Sequence, residues 1–195
     1  MKRIAILIDG GYLRILSRKA GLTYNPDFIE KFAKLLPTAD EEVFRILYYD
    51  RAPFSGQARL PVSGLSHQFE GSDQWLQDLS RRELFAVRRG VLKFRGYRLK
   101  QIPYHPTGPL TDDDFKPDFE QKGVDMRIGL DIASYSHTRI VDRIVLVTND
   151  TDCIPAMKYG RKSGLQVVLA NAPGSVLAPE LLSHVDFRRV AAWPT

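Results

Sequence analysis

The 195-residue sequence holds one cysteine, Cys153. A lone thiol makes no intramolecular disulfide and no cysteine zinc site, and it suits a reducing, cytoplasmic compartment. No stretch approaches the roughly 20 apolar residues of a membrane span, so no membrane partner is expected. The apolar opening Ile4-Ala5-Ile6-Leu7-Ile8 is too short for the core of a secretion signal and runs directly into Asp9. The four histidines, His67, His105, His137 and His184, are scattered, and none has a metal-ligand spacing such as HExxH. There is no Ser-His-Asp order and no GxSxG elbow. Gly10-Gly11 is neither a GxGxxG nor a Walker loop, which argues against a nucleotide cofactor. Internal repeats and low-complexity tracts are also missing.

What is present describes an ordinary soluble globule, 44% hydrophobic and 26% charged. The length fits one domain over residues 1–195, and a chain of this size buries a core without a disulfide or metal staple. The formal net charge of +5 and a pI near 9.3 favour polyanions such as RNA or DNA. That signal is weak alone, because many basic proteins bind no nucleic acid.

The pattern along the chain alternates strands and helices. Residues 4–8 read as a buried strand, 12–20 and 28–36 as helices, and 43–49 as a second strand ending at Asp50. This β-α-β order predicts an α/β fold with a mainly parallel sheet. Residues 51–117 are the least regular and read as an insertion or lid, containing a helix over 74–88 and a strand over 91–101. Beyond it, 123–135 reads as a helix and 144–148 as the best strand of the chain. A helix over 154–162, a strand over 166–170, a short helix over 179–184 and a last strand over 187–190 complete the pattern.

Carboxylates recur where strands end. Asp9 follows the first strand, Asp50 the second, and Asp150 and Asp152 the strand at 144–148. Ligands of open parallel sheets sit beyond the carboxyl ends of the strands. Close carboxylates repel, and a hard divalent cation such as Mg²⁺ or Mn²⁺ relieves the repulsion. The competing reading is that these residues are turn formers or helix caps, at which aspartate is common. A fourth acid, Asp125, begins the helix at 123. Asp131 lies six residues on, about 120° around a helix, so it belongs at the rim of any cluster or orients a neighbour. Asp50 has no supporting motif neighbours.

Three ordered motifs carry a family resemblance. They are Ile8-Asp9-Gly10-Gly11-Tyr12-Leu13, the run from Lys122-Gly123-Val124-Asp125 to Leu130-Asp131-Ile132, and Leu146-Val147-Thr148-Asn149-Asp150-Thr151-Asp152-Cys153-Ile154. Together they resemble the NYN family, in its LabA-like (DUF88) branch, and through it the PIN-domain nucleases. The resemblance runs from about residue 2 to residue 190 and is weakest over 51–117. It implies a Rossmann-like, PIN-type three-layer sandwich. It also implies a metal-dependent ribonuclease, an endonuclease rather than an exonuclease. Carried over by position, the catalytic metal ligands are Asp9, Asp125, Asp150 and Asp152, with Asp131 and Asn149 as additional members. Relatives commonly have asparagine where this chain has Gly11, and Ser-Gly-Asp-Ser-Asp-Phe where it has residues 148–153. The acids themselves are kept.

The stretch 81–100 holds eight of the 28 Lys and Arg residues, with aromatics between them. Arg88, Arg89, Lys93 and Arg95, with Lys122 ahead of Asp125, are the expected RNA contacts, since basic groups pair with phosphates and aromatics stack on unpaired bases. A solvated helix–strand pair reads equally well. Two other functional readings stand against cleavage of RNA. One is a non-catalytic RNA-binding or regulatory module on the same scaffold. The other is a phosphatase of the haloacid-dehalogenase type, which needs a second aspartate where Gly11 stands. Association into a homo-oligomer is left open.

Overall fold

A computed structural model of the chain describes residues 1–104 and 108–194. His105, one of the scattered histidines, lies outside the described residues. The opening run forms β1 (Lys2–Asp9), in which residues 4–8 are fully buried. Successive side chains of a strand point to opposite faces. Ile4, Ile6 and Ile8 therefore enter one core, and Ala5 and Leu7 the other. A strand with five consecutive apolar residues requires cover on both faces of its sheet.

That cover comes from helices in two layers. On one face lie α1 (Gly10–Lys19), α2 (Pro26–Lys34) and α3 (Gln74–Ser80), packed through Leu13, Phe32 and Leu76. On the other lie α4 (Val124–Thr138), α5 (Ile154–Lys162) and α6 (Pro179–Leu182), packed through Ile128, Met157 and Leu181. Local chemistry sets the helix ends. Asn25 accepts the Phe28 N–H at 2.8 Å and Pro26 fills the first turn of α2, a position where its missing N–H costs nothing.

The remaining strands are β2 (Glu41–Arg51), β3 (Gly56–Arg59), β4 (Ser66–Phe69), β5 (Phe85–Leu99), β6 (Phe115–Lys122), β7 (Arg143–Val147), β8 (Gln166–Asn171) and β9 (Phe187–Val190). Seven of the nine form one sheet in the order β6-β5-β2-β1-β7-β8-β9, and β3 and β4 form a separate hairpin. The main sheet is parallel except where β6 runs antiparallel to β5. This is the α/β sandwich expected from the alternating pattern.

Residues 51–117 are more regular than their sequence suggests. The helix expected over 74–88 stops at Ser80, and β5 begins at Phe85 after Leu84 takes a φ of 64°. Pairing of residues 85–90 with β2 overrides the helical pattern there. Residues 115–122 also join the sheet although their sequence, FKPDFEQK, carries four charges. They form its edge, where both charge and Pro117 are tolerated.

Candidate acidic active site

From β1 the chain moves outward to β2 and β5, then returns to place β7 on the other side of β1. Strand order therefore reverses between β1 and β7, and a crevice opens beyond their carboxyl ends. Asp9 is the last residue of β1. Its Oδ1 accepts the Tyr12 N–H at 3.1 Å, which caps α1, and its Oδ2 accepts the Thr148 hydroxyl at 3.2 Å. Thr148, fully buried just past β7, accepts the Asp150 N–H at 3.1 Å. Asp150 in turn accepts the Asp152 N–H at 2.9 Å. A single hydrogen-bonded path thus joins Asp9, Asp150 and Asp152. Thr148 is the link that reading the sequence missed. Its only sequence signal is a hydroxyl at a strand end, two residues before an aspartate.

Asp125 reaches the same crevice from another direction. Gly123 takes φ +79°, which lets the chain turn from β6 into α4 within one residue, and Asp125 falls in the first helical turn. Burial raises its pKa first, helped by the charge of Asp150, a hydrogen bond with Asp150 and the charge of Asp152. Burial likewise raises Asp9. The N–H of Tyr12 and the hydroxyl of Thr148 pull it back, and the charge of Asp125 adds to the rise. The buried Cys153 thiol reports on the whole group. It is pushed up to about 12 by burial and then by Asp150, Asp125, Asp9 and Asp152. Four carboxylates from three separate segments therefore act on one sulfur atom.

The chemistry of this donor set fits a hard divalent cation. The ligands are carboxylate oxygens, the donors such an ion prefers. Each carboxylate oxygen carries two lone pairs, so the capping bonds leave acceptor capacity. As the side chains lie, no three His, Cys, Asp or Glu residues among the described residues are close enough to grip an ion.

The other expected residues are placed as follows. Asn149 accepts the Ala178 N–H at 2.7 Å and so anchors the segment before α6. Asp131 takes both the Nη2 and Nε of Arg88, at 2.7 and 3.0 Å, and the Tyr49 hydroxyl at 2.8 Å. It ties α4 to β2 and β5. Asp50 is buried beside Arg14, accepting the Tyr48 hydroxyl at 2.9 Å and the Arg51 N–H at 2.8 Å. Gly10 is needed beside this network, since a Cβ there would stand 2.2 Å from the Tyr48 hydroxyl. Lys93 is exposed, and Lys122 lies 3.5 Å from Glu120. Each arginine of the stretch 81–100 has a carboxylate partner. Arg89 pairs with Asp73 and Arg95 with Glu120, while Arg81, Arg82 and Arg98 pair with Asp78, Asp27 and Asp118. The surface is thus less cationic than the sequence implies.

The model of the NYN domain matches residues 3–189. The chain belongs to the NYN domain family. NYN domains have a PIN-like nuclease fold and are in general ribonucleases, and the crevice between β1 and β7 is where this NYN domain gathers its acids. A solved structure of a protein of unknown function from Vibrio parahaemolyticus is similar, with a TM-score of 0.54. That similarity has 17% identity and covers 97% of this chain and 92% of the other, which supports the fold alone. A search of curated proteins gives no match. Among the described residues of this NYN domain, no helix is long and apolar enough to cross a membrane.

Proposed function

We propose that this NYN domain is a Mg²⁺- or Mn²⁺-dependent endoribonuclease of the LabA-like branch, working in the cytoplasm. The observation that carries the reading is the hydrogen-bonded path from Asp9 through Thr148 to Asp150 and Asp152 at the β1/β7 crevice, with Asp125 brought toward it in the first turn of α4. Asp9 and Asp150 would hold a first ion, and Asp125 and Asp152 would complete its shell or hold a second. When bound, the ion supplies activation of water and neutralises charge that builds on the phosphate. The chain's own residues do the positioning. Thr148 fixes Asp9 relative to Asp150 by donating to one and accepting from the backbone of the other. Asn149 holds the segment before α6 to the end of β7.

RNA would reach the crevice along the arm formed by β5 and β6, past Arg88, Arg89, Lys93, Arg95 and Lys122. Its phosphates must exchange with the carboxylates that now pair with the arginines, so each arginine adds less affinity than a free charge would.

Labelled RNA incubated with Mn²⁺ should be cut internally by the wild type, and not by Asp9→Asn or when metal is chelated. Equal cleavage by wild type and Asp9→Asn would refute the proposal. RNA binding by the wild type with no cleavage under any divalent metal would favour the non-catalytic module instead, a reading supported by the spread of the carboxylates as they lie.

A further inference from the structure

Beside the acidic crevice lies a cavity of about 620 Å³ that none of the roles above explains. It opens between α1 and the β3–β4 hairpin, and its size is that of a small-ligand site. Arg14, Arg18 and Arg51 line it together with Phe54, Phe69 and Trp75, and among the described residues Glu70 is its one acidic lining residue. Arg14 is balanced by Asp50, and its guanidinium lies 5.3 Å from the Tyr24 ring centre and 5.6 Å from that of Trp75. Arg18 is exposed, with no carboxylate partner among the described residues. Phe54 is stacked on Phe94 at 5.7 Å and 25°, and packs against Phe69 and Phe119, each with ring centres 5.5 Å away. The cavity therefore joins flat apolar walls to a positive mouth.

Its position relates it to the crevice. The Tyr24 hydroxyl, on the cavity wall, donates at 3.1 Å to the carbonyl of Gly10, the residue that follows Asp9. A strand of RNA whose phosphate sits at Asp9 has this cavity next to it.

We propose that the cavity seats one unpaired nucleotide of the RNA, with its base against Phe54 and Trp75 and its phosphate at Arg18. Aromatic faces stack on any base and cationic groups follow the backbone, which is how single strands are held without sequence readout. A base inside a duplex is stacked on both faces and does not enter such a space. The choice of RNA rests on the ribonuclease reading, but the pocket itself needs no metal.

The test uses the full chain in EDTA. Trp193→Phe leaves Trp75 as the single tryptophan, and its fluorescence is followed as an octamer of oligoadenylate RNA is added. Saturable quenching is expected, weakened about five- to tenfold by Phe54→Ala and by Arg18→Ala. Arg18 is exposed, so its variant leaves the fold intact. Absence of quenching, quenching unaffected by both substitutions, or equal binding of a blunt duplex would overturn the proposal. So would binding of free AMP as tight as that of the octamer, which would make the cavity a mononucleotide site. Quenching without cleavage under any metal would leave the pocket standing and remove the ribonuclease reading. Cleavage with the pocket variants unchanged in affinity would do the reverse.

Discussion

Glu41 opens β2 at the end of the sheet away from the crevice, and its side chain is fully buried between two arginines. Arg189 donates to it twice, at 2.9 and 3.0 Å, Arg143 donates once, and the Thr38 N–H adds a bond at 2.8 Å. Burial alone would raise the Glu41 pKa, but the bonds from Arg189, Thr38 and Arg143 outweigh it and bring the group down to about 2. The drop from an ordinary 4.5 is worth roughly 3 kcal/mol of stability. Because the folded pKa is depressed, that stability is present above about pH 4.5 and is lost as pH falls toward 2. Glu41→Gln removes the charge and leaves two largely buried guanidinium groups without it, a change that costs about 3–5 kcal/mol. For a domain of this size the melting temperature should fall by roughly 10 °C at pH 7. Calorimetry of wild type and variant between pH 2 and pH 7 checks both numbers, with the two curves converging in acid. A variant that melts within about 2 °C of wild type at pH 7, or curves that stay parallel down to pH 2, would refute the reasoning. RNA cleavage by the variant at low temperature should be unchanged.

Asp125→Asn should raise the melting temperature of the metal-free protein at neutral pH. The Asp125 pKa is raised, so its ionised form opposes folding above that value, and the amide removes the repulsion. The same variant should lose the stabilisation that wild type gains from Mn²⁺ in a thermal melt. Thr148→Val keeps the shape but cuts the link between Asp9 and Asp150. It should lower kcat for RNA cleavage at least about tenfold while costing only about 1–3 kcal/mol of stability by denaturant titration. Gly10→Ala drives a methyl group into the Tyr48 hydroxyl and should destabilise by roughly 1–3 kcal/mol in urea, more than the same change at Gly129, where nothing lies closer than 3.7 Å.

Local pattern made much of this legible. Continuous apolar runs predicted β1 and β7, and an aspartate at or just past the end of a strand marked Asp9 and Asp150 as residues at the mouth of a sheet, though the same signal also pointed to Asp50, which is buried beside Arg14 instead. Pairing across long separations was not legible. Asp131 meets Arg88 from 43 residues away and Tyr49 from 82, and nothing local signals either contact. The same limit hid the neutralisation of the basic stretch, because Asp27, Asp73 and Glu120 become partners only after the chain has folded. Residues 115–122 carry no strand signal for a different reason. An edge strand needs only part of its surface buried, so its charged sequence lacks the apolar signal of a central strand.

The central claim is that the four aspartates hold a divalent ion. Crystals soaked in Mn²⁺ and measured at the manganese absorption edge test it most directly. An anomalous peak is expected among Asp9, Asp125, Asp150 and Asp152, and it should disappear in Asp150→Asn. A soak at millimolar Mn²⁺ with no peak there, or with manganese bound only elsewhere, would contradict it.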